Sequence, residues 1–201
     1  MALFRPTPKK TEGLEGTSKY SGGCEIGIVN FEDKSENFDW ADIYIDIECA
    51  LKDSKYTRTM QLVGELEREA SGKVTGGSVL DRVYRIFDAI GCTAGINIDG
   101  EWEDEQGNPI QDIAAYLNTH HCSNFMPDTP PVLDFVGYVY KKKNPKTETV
   151  FNTMLTKLYP NTTKGKEDMA SYVKWMQKNG FLKEVTDAPT SNTVKVSAEA
   201  L

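Results

Sequence analysis

The stretch YVYKKKNPKTETVFNTMLTKLYP, residues 138–160, gathers side chains suited to holding an anionic, aromatic ligand. Tyr138 and Tyr140 are two residues apart, so on an extended strand their rings leave the same face, roughly 7 Å from one another. That spacing suits stacking on consecutive nucleotide bases. Lys141, Lys142, Lys143 and Lys146 follow around an Asn144-Pro145-Lys146 turn, and Phe151, Lys157 and Tyr159 leave one face of the returning segment. Cations that track phosphate, interleaved with aromatic faces that stack without reading sequence, are the requirements of single-strand binding. The competing reading is a solvated lysine turn between two aromatic-rich core strands.

A second cationic and aromatic group is Arg58 with Tyr56 and Tyr44, but Asp42, Asp46 and Glu48 share the face of Tyr44, and a carboxylate row repels phosphate. Trp175, beside Lys174 and Lys178, lies off the apolar stripe of its segment; it either faces a partner or covers the core. The acidic run DGEWEDEQGNP (99–109) carries Asp99, Glu101, Glu103, Asp104 and Glu105 around Trp102. Those oxygens suit Ca²⁺ in kind, but their spacing departs from the EF-hand pattern, and a solvated loop is expected. Trp102 there could anchor a protein partner. His120, His121 and Cys122 are adjacent, which does not turn all three onto one ion. The four cysteines are scattered with no C-x-x-C pair, as for small buried hydrophobes in a reducing compartment. No P-loop, G-x-G-x-x-G, G-x-S-x-G or H-E-x-x-H signature occurs. Asp46 and Glu48 could serve a metal-dependent nuclease, but no set of partners suggests itself. Neither an enzyme nor a cofactor or metal is expected.

The elements that must position these residues read as follows. GCEIGIVNFED (23–33) is a short apolar-rich strand. WADIYIDIECAL (40–51) alternates, with Ile43, Ile45, Ile47, Cys49 and Leu51 inward and Asp42, Tyr44, Asp46 and Glu48 outward. YTRTMQLVGEL (56–66) completes a hairpin across Asp53-Ser54-Lys55. SVLDRVYRIFDAIG (78–91) is a helix, with Ser78 as cap, Leu80, Val83, Tyr84, Phe87 and Ile90 on one face, and Gly91 as its stop. IQDIAAYLNTHH (110–121) is a short helix within an acidic insertion, 96–131. VLDFVGYVY (132–140) and VFNTMLTKLY (150–159) are strands. EDMASYVKWMQKNG (167–180) is a helix with a stripe of Met169, Tyr172, Val173 and Met176. The order β-β-β-α-β-β-α is that of a five-stranded OB-fold-like barrel, a mainly β domain with helices; a mixed α+β sheet shares that order.

The composition permits one such domain, residues 22–185, between arms at 1–21 and 186–201 that are poor in apolar residues and expected to be disordered. No apolar run reaches the ~20 residues of a membrane span, and MALFRPTPKK has no signal-peptide core, so a soluble, cytoplasmic protein is expected. The net charge of −7 conceals a division. Residues 21–130 carry 8 Lys/Arg against 21 Asp/Glu, whereas 131–183 carry 10 against 4. Such a division creates a local positive field around the second region, favouring an anionic partner.

IVNFED (28–33), DIYIDIECALKDSKYTR (42–58), VLDRVYRIFDAIG (79–91), DGEWEDEQGNPI (99–110) and YVKWMQKNGFLKEV (172–185) together resemble, over residues 23–185, the bacteriophage OB-fold single-stranded DNA-binding proteins. The resemblance implies sequence-tolerant binding of single-stranded DNA in replication and recombination. It also implies no cofactor, replication proteins as further partners, and a homodimer in some members. The DNA-contacting set would be Tyr138, Tyr140, Lys141, Lys142, Lys143, Lys146, Phe151, Lys157, Tyr159 and Arg58. One departure stands out: many such proteins end in a strongly acidic tail, and here only Glu184, Asp187 and Glu199 stand against Lys195. The other reading is a protein-interaction or structural protein working through the acidic insertion around Trp102.

Overall fold

The computed structural model describes residues 22–54, 57–122 and 132–185. Tyr56 and both expected arms lie outside these. Alternation builds the first three strands. β1 (Gly22–Asp33), β2 (Ile43–Leu51) and β3 (Thr57–Gly64) form an antiparallel meander, with Ile47 opposite Phe31 on one side and Met60 on the other. Ile43, Ile45, Ile47, Cys49 and Leu51 are all buried, as the period of two requires. The β2–β3 turn closes with Asp53 at φ 59° and the Ser54 N–H donating to the Leu51 carbonyl.

A small hairpin, β4 (Glu67–Arg68) with β5 (Val74–Gly76), precedes α1 (Ser78–Ile90). Gly77, not Ser78, occupies the cap position, and no side chain caps the helix. Val79, Leu80, Val83, Ile86 and Phe87 are buried on its inner face, with Tyr84 and Ile90 half-buried beside them. Gly91 adopts the left-handed conformation that ends the helix, φ 71°. The acidic insertion is structured at its start. β6 (Gly95–Ile96) pairs with β7 (Trp102–Glu103), and α2 (Ile113–His121) begins at Asp112, whose carboxylate accepts from the Ala115 N–H.

β8 (Phe135–Lys143) joins the sheet against β1, with Gly22 opposite Val139 and Ile26 opposite Phe135. Its other edge is shared. β9 (Val150–Met154) pairs with residues 139–143, and β10 (Tyr159–Pro160) pairs with Val136 and Phe135. The expected single strand 150–159 is therefore two strands separated by residues 155–158. α3 (Thr163–Lys178) starts four residues before the expected position, because Thr162 caps it by accepting from the Gly165 N–H. Glycine is required there: a Cβ at 165 would be driven into the Pro160 carbonyl oxygen.

The result is a mixed α+β fold: one antiparallel six-stranded sheet, two small hairpins and, among the described residues, three α-helices. β3 and β9 approach within 8 Å at their Cα atoms but do not pair, so the sheet curls without closing into the expected barrel. The main core lies inside the curl, filled by α1 and α2. A second apolar cluster lies on the other face, where α3 packs Met169 and Val173 against Val136. Among the described residues no helix is long and apolar enough to cross a membrane.

Candidate nucleic-acid interface

Pairing registers decide which of the hairpin side chains share a face, since directly opposed residues project to the same side. Lys142 opposes Phe151 and Tyr140 opposes Thr153, so Tyr138, Tyr140, Lys142 and Phe151 lie on the outer face of the hairpin. Lys141, opposite Asn152, and Lys143, opposite Val150, lie on the inner face. The expected lysine cluster is thus divided between two faces. Lys143 is paired with Glu148 across the turn at 2.9 Å, whereas Lys142, Lys146 and Phe151 are exposed.

Tyr138 and Tyr140 share a face as expected, but that face is covered. Both pack in the second apolar cluster beside Leu155, Val173 and Leu182. Burial, with the Glu184 carboxylate accepting from its hydroxyl, pushes the Tyr138 phenol up to about 12, and burial raises that of Tyr140. The Val185 N–H donates to the Lys141 carbonyl at 3.0 Å, which ties the residues after α3 along the upper part of β8. As the protein stands, these two rings support the sheet-to-helix packing and do not form an open stacking platform.

A second aromatic row lies along α3, half-buried at one end and open at the other. Tyr159 is 6.4 Å from Tyr172, Tyr172 stacks on Trp175 at 6.0 Å with an interplanar angle of 18°, and Trp175 is 5.4 Å from Phe181. Trp175 is 52% exposed and Phe181 66%, so part of each ring is open to a ligand. Trp175, expected either to face a partner or to cover the core in part, lies half-exposed at the surface against Tyr172 and Phe181. With 3.6 residues per turn, Tyr172 borders the buried Met169–Val173 stripe, Trp175 follows, and Lys178 and Lys174 come next round the helix. Lys157, in the 155–158 linker, holds its ammonium 4.3 Å from the Tyr172 ring centroid and 5.0 Å from that of Tyr159. Of the expected residues, Lys157 and Tyr159 therefore meet in this row. Tyr172, Trp175 and Phe181 join them from elements that residues 138–160 do not include. The row runs from β10 towards the base of the hairpin, where Val185 meets Lys141.

Arg58 takes a different place from the one its neighbours suggested. It opposes Cys49, not Tyr44, and so projects to the inner face with Met60 and Leu62. Its guanidinium donates to the Thr57 carbonyl, while its Nε is buried without a partner. The outer face of β2 and β3 is a closed polar network. Gln61 donates to both Tyr44 and Asp46 at 3.0 Å, Lys34 pairs with Asp46 at 2.8 Å, and Thr57 donates to Glu48.

The remaining candidates have local roles. Trp102 packs on Phe87 with centroids 5.7 Å apart. Asp104 accepts from Gln106 and Asn108 within its own turn, which holds its carboxyl below the usual range. His121 Nδ1 lies 3.2 Å from the Ile90 carbonyl oxygen, with burial lowering its pKa, and the Cys122 thiol donates to Asn118. Comparison with known proteins finds no family model, curated protein or solved structure that matches the chain.

Proposed function

We propose that the protein binds single-stranded nucleic acid without strong sequence preference, single-stranded DNA in replication or recombination being the substrate that its sequence resemblance implies. The observation that carries this reading is the row Tyr159–Tyr172–Trp175–Phe181, half-buried at Tyr159 and Tyr172 and open at Trp175 and Phe181, interleaved with Lys157 and flanked by Lys174 and Lys178. Rings of this kind stack on bases whatever their identity, and the ammonium groups neutralise phosphate as the strand passes. Lys142, Lys146 and Phe151 on the hairpin extend the same basic region. The order of the sheet, with β1 central between β2 and β8 and α1 entering after β3, supports an OB-fold-like, partly open barrel as the scaffold. Partner capture through Trp102 is the weaker reading, because that ring is spent on packing against Phe87.

The test is fluorescence anisotropy of a labelled oligo-dT strand titrated with the full chain at several salt concentrations, beside a duplex of the same length. Binding to the single strand, weakening as a power of salt concentration, is the expected outcome. Equal affinity for the duplex, or no binding at low salt, would sink the proposal.

A further inference from the structure

At the opposite end of the sheet from the lysine hairpin, the β1–β2 connection presents a second exposed aromatic group. Phe38 stacks on Tyr44 at 4.4 Å with planes 15° apart, and Trp40 meets Tyr44 edge-on at 6.4 Å while remaining 57% exposed. Glu36 and Asp39 add exposed carboxylates to the patch. Its sign makes it a poor surface for phosphate and a good one for a cation with apolar company. The tip of the β8–β9 hairpin has that character: Lys142 and Lys146 are exposed, beside Val150 at 49% and Phe151 at 44% exposure. Phe151 lies on the outer face with Lys142 and Val150 on the inner face with Lys143, so the tip is apolar on both sides, and base stacking by Phe151 leaves the bare Val150 without a role.

The two surfaces cannot meet within one molecule. β1 spans 12 residues from the Gly22–Val139 pair to the β1–β2 connection, and β8 continues beyond Val139 in the other direction, so about 50 Å of strand path separates them at ~3.3 Å per residue.

We propose that the hairpin tip of one copy seats on the Phe38–Trp40–Tyr44 patch of a second copy, its lysines facing Glu36 and Asp39. The occupant is a second copy because acidic-aromatic patch and basic-apolar tip are complementary in both charge and polarity. This pairing requires no nucleic acid, so its failure and that of the proposed DNA binding are separable.

The experiment is sedimentation velocity of the full chain without DNA, over a concentration series at low and high salt. Two variants accompany it: W40A/D39K, altered in the patch, and K146E/F151S, altered in the tip. The wild type is expected to associate with rising concentration at low salt and to dissociate at high salt. Each variant alone should require a concentration at least roughly ten-fold higher, since like charges then oppose each other. An equimolar mixture of the two variants retains one intact tip-to-patch pairing and should form a dimer, which also shows that both remain folded. A wild type monomeric throughout overturns the proposal, as does either variant associating like the wild type or a mixture that stays monomeric. Loss of oligo-dT affinity in W40A/D39K with no change in association would assign the patch to nucleic acid instead.

Discussion

Replacing Trp175 by alanine separates the role of the aromatic row in binding from any role in folding. The indole is 52% exposed and touches Tyr172 and Phe181, both on the surface or at its border. Its removal leaves the buried Met169–Val173 stripe in place, so stability should fall by no more than about 1–3 kcal/mol, the worth of its two aromatic pairs. A stacked base contributes about 1–3 kcal/mol, and each 1.4 kcal/mol is ten-fold in affinity. Trp175→Ala should therefore weaken oligo-dT binding by roughly 5- to 150-fold. No charge is lost, so the slope of log affinity against log salt should be unchanged. Anisotropy titrations at four or more salt concentrations, with a thermal melt of the same sample, measure all three quantities. Unaltered affinity in a folded variant would refute the stacking argument. A large loss of affinity together with a flattened salt slope would mean that the indole acts by positioning lysines.

Lys157→Gln removes the cation held over Tyr159 and Tyr172; the salt slope of oligo-dT binding should fall by about one phosphate contact, read from the same titrations. Gly165→Ala forces a methyl group against the Pro160 carbonyl and should cost at least about 2 kcal/mol in urea melts, a backbone clash that α3 cannot relieve without leaving Thr162. Glu25 accepts from Lys166 at 2.7 Å and Lys52 at 2.8 Å, and these bonds pull its carboxyl from 4.5 down to about 2. A depressed carboxylate stabilises the folded state above its unfolded pKa, and that contribution disappears as pH falls from about 4.5 towards 2. Glu25→Gln should flatten the acid limb of a stability–pH curve in that window; because Glu25 also holds the Lys52 ammonium above its ordinary range, the variant should soften the loss of stability at alkaline pH as well.

Much of the sheet was legible because a period of two leaves little choice. The alternation of Ile43, Ile45 and Ile47 with Asp42, Tyr44 and Asp46 assigns both faces of β2, and the parity of Phe135, Val139 and Val136, Tyr138, Tyr140 assigns those of β8. The same parity also places Arg58 with Met60 and Leu62, on the face opposite to that of Tyr44. Other features were hidden for physical reasons. β4, β5, β6 and β7 are two or three residues long, too short to display a period. Periodicity says which side chains share a face but not what covers it, so Tyr138 and Tyr140 read as a platform although α3 and Leu182 lie over them. The aromatic row draws on β10, α3 and the residue after Gly180, and no local window contains it. Its sequence traces are Lys157 and Tyr159 within the hairpin stretch and Trp175, off the apolar stripe and flanked by lysines, with nothing in the sequence to join them.

The pairing of β1 with β8 joins Gly22 to Val139, more than a hundred residues apart. During synthesis the β1–β2–β3 meander is complete long before β8 leaves the ribosome, so one edge of β1 waits with its amides and carbonyls unsatisfied. An unpaired edge of this kind invites pairing with other chains, and closing so long a loop slows folding. That edge is the part of the growing chain most open to mispairing, and the 21 Asp/Glu against 8 Lys/Arg over residues 21–130 give such chains a net negative charge that opposes their association until β8 arrives.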